Sequence, residues 1–297
     1  MKLVLTGASG FLGAPCLKLL LERGHHVLAL SRKPPQSGPG ARLSGVAWLH
    51  ADLNAPSSYR DALAAFQPEA ALHLAWEGIP DFSLPNCLRN LQSGTLFAAA
   101  ALELGCRHLV LSGSCWEYGR LQGPLRETAH PLEPGIFGQS KNAQRLMMRA
   151  LVQQAGASMA WARVFYPYGP GQRAASLVPA ICKSLQTGET PVVRTPAAAS
   201  DFLYSEDVAA ALVLLLECHA DGVFNVGSGT ATTAAHIADT LLCLAGSPPR
   251  FASAALDPEP GFFADPSAIQ SIGWKPAVDL EEGLRRTWDW YRENAGV

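Results

Sequence analysis

The sequence predicts an α/β fold: a parallel sheet covered by helices on both faces. Two observations predict it. Apolar strand-like runs alternate with helix-spaced segments through the first half of the chain. A glycine-rich turn also stands between the first strand and the first helix. Such alternation requires right-handed crossovers between parallel strands.

The elements follow in order. Residues 2–6 form a short apolar run ending at a glycine turn, and residues 11–23 have helical spacing up to Gly24. Runs at 26–30 and 46–50 read as the second and third strands, 57–66 as a helix and 70–75 as a buried strand. A long helix over 84–104 stops at Gly105, and a strand over 108–112 follows. The spacing predicts a helix over 139–155 and a strand over 158–165. Beyond that the pattern loosens. Helices are expected at 174–186, 206–218, 233–245 and 280–294, with strands near 191–194, 201–204 and 223–226. The stretches 34–40 and 196–200 read as loops.

Composition narrows the class. Of 297 residues 48% are hydrophobic and 16% charged, which supports a sizeable core and excludes intrinsic disorder. A net charge of -2 gives no basic footprint for nucleic acid. No apolar run approaches the ~18 residues of a membrane span. The opening run 1–7 is too short for a secretory leader, so the expected location is cytoplasmic. The seven cysteines, scattered and odd in number, read as free thiols, with no metal site.

The turn Thr6-Gly7-Ala8-Ser9-Gly10-Phe11-Leu12-Gly13 carries the first chemistry. Glycines at this spacing let the backbone turn tightly and approach a pyrophosphate. The following helix start offers free amides to the anion. The position after a first strand is the context such a motif needs. Gly7, Ser9, Gly10, Phe11, Leu12 and Gly13 are therefore assigned to a dinucleotide. At the end of the second strand stand Ser31-Arg32-Lys33 and no carboxylate. A hydroxyl and two cations suit a 2′-phosphate, which favours NADP(H), with NAD(H) second. Asp52 is expected either to accept from the adenine amino group or to serve a helix N-terminal turn.

Together these motifs resemble the extended short-chain dehydrogenase/reductase family, within it the NAD-dependent epimerase/dehydratase group acting on nucleotide sugars. The matches are 6–13, Ala51-Asp52-Leu53, Leu72-His73-Leu74-Ala75, Ser112 to Gly119 with its Glu-Tyr-Gly end, and Gly138-Gln139-Ser140-Lys141. Arg163-Val164-Phe165 with Tyr168-Gly169-Pro170, Asp201-Phe202-Leu203-Tyr204, Phe224-Asn225-Val226-Gly227 and Gly273-Trp274-Lys275-Pro276 follow in the same order. The resemblance implies a doubly wound, seven-stranded Rossmann domain over 1–165, which also receives a strand and helix from about 200–230. A smaller α/β substrate lobe is implied over 166–297. It adds Leu53, Leu74, Ala75, Lys141 and Phe165 to the cofactor set. It places Trp76, Cys115, Trp116, Tyr166 and Arg173 at the substrate, and implies a homodimer through a four-helix interface; Met147, Met148 and Leu151 fit that interface and equally fit ordinary core packing.

Family chemistry uses a Ser/Thr, a Tyr and a Lys, the last two four apart on one helix. Alignment puts the Ser role on Ser114 and the Lys role on Lys141. Phe137 stands where the Tyr belongs, and a phenyl ring neither gives nor takes a proton. Three accounts stay open: a natural enzyme using another donor (Ser114, Tyr118, Tyr166, His130 or water), a binding protein or subunit without redox turnover, or an engineered inactive Tyr-to-Phe variant. Cys115 and Trp116 replace the Asp-Glu pair of the sugar 4,6-dehydratases, which excludes that subclass. Tyr166 and Ser200 replace a common substrate Asn and a diphosphate-gripping Arg. The expected activity is reduction or epimerisation of a nucleotide-activated 4-keto or 4-hydroxy sugar, possibly 6-deoxy. Glu117 and Glu127 read as exposed loop carboxylates, and His73 is expected to line the cofactor groove through its backbone.

Overall fold

The computed structural model describes residues 1–33, 45–252 and 259–294; the expected loop at 34–40 lies outside them. A seven-stranded sheet runs in the order β11-β7-β5-β4-β1-β2-β3. Its strands are β1 (Lys2–Thr6), β2 (His26–Ser31), β3 (Val46–His50), β4 (Ala70–His73), β5 (His108–Ser114), β7 (Ser158–Val164) and β11 (Gly222–Val226). Neighbouring strands pair in parallel, with Thr6 level with Leu30 on one side and His73 on the other. This is the doubly wound arrangement, whose strand order reverses beside β1. Helices α1 (Gly13–Glu22), α2 (Arg60–Phe66), α3 (Leu84–Glu103), α4 (Ile136–Gln154) and α6 (Ser205–Glu217) join the strands. One core beneath the sheet includes Leu63, Phe97, Met148 and Trp161.

The chain divides into two units. The first comprises Met1–Arg120, Ala129–Val164 and Ala209–Phe224; the second comprises Leu121–Thr128, Phe165–Val208 and Asn225–Val297. The second unit holds a four-stranded mixed sheet, β12-β9-β13-β6, from Thr232–Thr233, Ala198–Ser200, Glu259–Ala264 and Gly123–Leu125. A two-stranded pair joins β8 (Pro167–Tyr168) to β10 (Leu203–Tyr204). Its helices are α5 (Leu177–Gln186), α7 (Ala234–Leu244), α8 (Ser267–Gln270) and α9 (Leu280–Glu293). Trp288 and Tyr291 on α9 pack into a core with Ile181, Cys182 and Leu241. Among the described residues no helix is long and apolar enough to cross a membrane.

Several expectations need correction. Residues 191–194 form no strand, and 198–200, read as a loop, form β9. The expected helix over 57–66 is a 3₁₀ turn at Pro56–Ser58 followed by α2. Of the strand expected over 201–204 only Leu203–Tyr204 pairs. Asp201 instead turns its carboxylate onto the amides of Ser228, Gly229 and Ala264.

Candidate functional site

The first element of the site is the turn from β1 into α1. Gly7 takes φ +75°, and a Cβ there would lie 2.9 Å from the Ala75 amide nitrogen. A Cβ on Gly13 would lie 1.9 Å from the Gly7 carbonyl oxygen. Only glycine permits this approach of strand and helix. The amides of Gly10, Ala14 and Cys16 bond back into the turn, whereas those of Phe11, Leu12 and Gly13 have no partner among the described residues. Leu12 caps α1 without a side-chain bond. Unpaired amides at the positive end of a ten-residue helix fit an anionic phosphate. The geometry therefore suits the pyrophosphate of a dinucleotide.

Beneath the turn, Thr6 Oγ1 lies 2.8 Å from His73 Nδ1 and accepts from the Ala75 amide at 3.3 Å. His73 thus contributes its side chain, not only its backbone, to the junction of β1 and β4. Burial, and secondarily the Lys141 charge, push its pKa down to about 3, so the ring is neutral. Leu74 and Ala75 follow directly and are half-buried.

At the end of β2, Ser31 Oγ lies 3.1 Å from Ser9 Oγ and accepts from the Lys33 amide. The Arg32 guanidinium is not free: its Nε meets Glu77 Oε1 at 3.0 Å, with the arginine side chain 59% exposed. The sequence reading saw no carboxylate here because Glu77 follows a different strand. Asp52 closes its own turn, accepting from the Asn54 amide at 2.9 Å. That bond, chiefly, holds its carboxyl below the usual range. Leu53 is buried in the core.

Ser114 ends β5. Its Oγ accepts from the Trp116 amide at 3.2 Å, and its proton has no partner among the described residues. Glu117, read as an exposed loop carboxylate, is fully buried. It accepts from the Ser114 amide at 2.8 Å, from Trp161 Nε1 at 2.9 Å and from Arg163 Nε at 2.9 Å. Two of these partners, Trp161 and Arg163, lie on β7, more than forty residues away, where no local pattern reveals them. Glu127, also read as exposed, accepts from the Asn225 amide at 2.7 Å within the second unit.

Phe137 and Lys141 lie one turn apart on α4. Lys141 is buried, donates to Ser112 O at 2.8 Å and lies 4.1 Å from the centre of the Trp76 ring. Burial lowers its pKa to about 7 against the opposing pull of Glu117. The Phe137 ring meets Trp76 edge-on at 5.2 Å, Trp116 edge-on at 5.8 Å and Phe82 at 4.7 Å. The sequence reading missed Phe82, which sits in the loop before α3 without periodicity to mark it. The Trp76 indole Nε1 is buried without a hydrogen-bond partner among the described residues.

Four further expected residues are described by their own surroundings. Cys115 is buried in the turn after Ser114. Phe165, in the second unit, is fully buried; its amide bonds to Val226 O and its ring meets Phe262. Tyr166 and Arg173 also belong to the second unit. There the Tyr166 ring packs near Phe202 and Phe262, and Arg173 is exposed.

The sequence pattern of the NAD dependent epimerase/dehydratase family matches residues 3–227. The chain belongs to this family. Two relatives illustrate the placement. The dTDP-6-deoxy-L-talose 4-dehydrogenase (NAD(+)) of Aggregatibacter actinomycetemcomitans is 26% identical over 77% of this chain and 85% of that protein. A probable GDP-L-fucose synthase 1 of Oryza sativa subsp. japonica is 32% identical over 69% of each. Among solved structures, MoeE5 in complex with UDP-glucose and NAD superposes with a TM-score of 0.85 at 26% identity, covering 99% of both chains.

Proposed function

We propose that this chain is an NAD(P)-dependent oxidoreductase or epimerase acting on a nucleotide-activated sugar, and that it works without a phenol at position 137. The observation that carries the proposal is the cradle of Gly7, Gly10 and Gly13 with the unpaired amides of Phe11, Leu12 and Gly13. A dinucleotide bound there supplies hydride transfer. Relatives named for dTDP- and GDP-sugars support a nucleotide-sugar substrate.

The chain's own residues would divide the remaining work. Ser114, its lone pair engaged by the Trp116 amide, keeps its proton for the reacting oxygen of the sugar. Lys141 would hold the cofactor ribose through the ammonium protons that Ser112 O does not take. Ser31, Arg32 and Lys33 favour NADP(H); a 2′-phosphate would have to outcompete the single Glu77 carboxylate for Arg32. NAD(H) remains the second choice, in line with the NAD held by MoeE5. Cys115 and Trp116 offer no carboxylate for water elimination, which favours reduction or epimerisation over dehydration, with a 4-keto-6-deoxy sugar as first candidate. Leu84, Leu88, Leu146 and Met147 are half-exposed or more on α3 and α4, and this face is proposed for a homodimer. Met148 and Leu151, which fit either that face or ordinary core packing, pack in or against the core.

The test is NADPH and NADH oxidation with 4-keto dTDP-, GDP- and UDP-sugars, together with chromatography of the 4-hydroxy sugars after incubation with bound dinucleotide, since epimerisation consumes no net cofactor. Turnover with at least one is expected. Cofactor binding without turnover on any sugar would favour a binding protein or subunit.

A further inference from the structure

Strand β5 ends in Ser112-Gly113-Ser114, and every residue of that end is held. Lys141 takes the Ser112 carbonyl, and Glu117 takes the Ser114 amide at 2.8 Å. The Glu117 carboxylate is itself fixed from β7 by Trp161 Nε1 and Arg163 Nε. Trp161 and Arg163 stand two apart and so project to the same face of the sheet, with Arg163 level with Gly113. Gly113 is shaped to this arrangement: a Cβ there would lie 2.2 Å from Trp161 Nε1 and 2.4 Å from Glu117 Oε1. The Glu117 carbonyl accepts from Asn142 Nδ2 at 3.0 Å, which ties the same turn to α4 beside Lys141. The Arg163 guanidinium lies 4.4 Å from the centre of the Tyr118 ring.

We infer that Glu117 is a positioning residue, which sets the Ser114 hydroxyl toward the reacting oxygen by gripping the Ser114 amide from a carboxylate anchored on Trp161 and Arg163. The inference rests on the proposed role of Ser114. Burying an ion pair is a poor way to gain stability, since apolar side chains of similar size usually serve as well. A carboxylate with several fixed donors does something they cannot: it presents an acceptor of fixed direction to the one amide whose residue carries the hydroxyl. The Ser114 Oγ direction then follows from two restraints, its amide on Glu117 and its oxygen under the Trp116 amide.

The test separates placement from stability. In E117L/W161F/R163M the carboxylate and both side-chain donors become apolar together, so neither Glu117 nor Arg163 is left as an unpaired buried charge; the Ser114 amide loses its acceptor, the Tyr118 hydroxyl its Arg163 partner and Lys141 the attraction of the Glu117 charge. E117Q/R163M keeps the Oε1 acceptor that serves both Ser114 and Trp161. Both are assayed beside S114A, with melting curves, dinucleotide affinity and Ser114 amide exchange by NMR. The expected result for the triple variant is a cooperative melt, unchanged dinucleotide affinity, faster Ser114 amide exchange and a kcat lower by about 10- to 100-fold. In E117Q/R163M most of kcat returns. A folded triple variant with parental kcat, while S114A loses rate, overturns the positioning role alone. Parental kcat in S114A, or no turnover by the parent chain, overturns the reading beneath it and this inference together. Exchange of the Ser114 amide in the parent at the rate of an exposed turn would overturn the inference whether or not the triple variant folds.

Discussion

The Lys141 ammonium lies 4.1 Å from the centre of the Trp76 ring, on the helix face that also carries Phe137. It has a carbonyl and a π-face for company but, among the described residues, no carboxylate in contact, and burial costs its charge most. Lys141 therefore titrates far below an ordinary lysine.

That position has a signature in stability. With a folded pKa near 7 against the ordinary 10.5, the unfolded chain holds a proton between these values that the folded chain has lost. Stability contributed at this site rises with pH across that window and is lowest at or below pH 7, with a slope of up to about 1.4 kcal/mol per pH unit. Denaturant unfolding of the parent and of K141M, at intervals from pH 7 to 10, checks it. The difference between the two should climb with pH; a flat difference contradicts the burial argument.

Restoring the phenol is the second prediction. In F137Y the added hydroxyl extends from a ring already packed between Trp76, Trp116 and Phe82, so fold and cofactor affinity should be unchanged. A general acid at that point contributes about 10²- to 10⁴-fold in favourable cases. We expect kcat to rise by at least 10-fold toward the lower of these values, read by NADPH oxidation. An unchanged rate would mean that the parent already has an equally good proton donor.

Arg32 and Glu77 define a third. E77Q releases the guanidinium, so NADPH affinity should rise while NADH affinity stays level. R32E should lower NADPH affinity by 10-fold or more, since a phosphate-guanidinium contact of about 1.5–3 kcal/mol becomes repulsion. Fluorescence titration with both dinucleotides reads the two ratios. A parent that prefers NADH and is indifferent to E77Q would contradict the assignment of the β2 end.

Gly13 gives a fourth. The Cβ of G13A would sit 1.9 Å from the Gly7 carbonyl oxygen, so helix and turn must part. A loss of about 1–3 kcal/mol is expected for such overpacking, together with loss of dinucleotide binding. Urea unfolding and calorimetry on the same variant check both.

The first unit was legible because its strands are short apolar runs and glycines close its elements: Gly7 follows β1, while Gly24 and Gly105 stand just after α1 and α3. Strand β9 was not, since Ala198, Ala199 and Ser200 carry no β signal of their own. They become a strand by pairing with β12 and β13, which lie farther along the chain. β13 hid behind Pro260 and Gly261, residues that usually interrupt strands. At the candidate site Ser114, Phe137 and Lys141 could be placed by motif. Glu117 could not be weighed, because its burial depends on Trp161 and Arg163 from another strand. Arg32 looked free for the same reason: Glu77 reaches it from the loop after β4.

Isothermal titration of the chain with NADPH and, separately, NADH tests the account most directly. It predicts a saturable heat with one dinucleotide per chain, stronger for NADPH and abolished in G13A. No heat with either dinucleotide would contradict the reading of the turn from Gly7 to Gly13, and with it the roles assigned to Ser114 and Lys141.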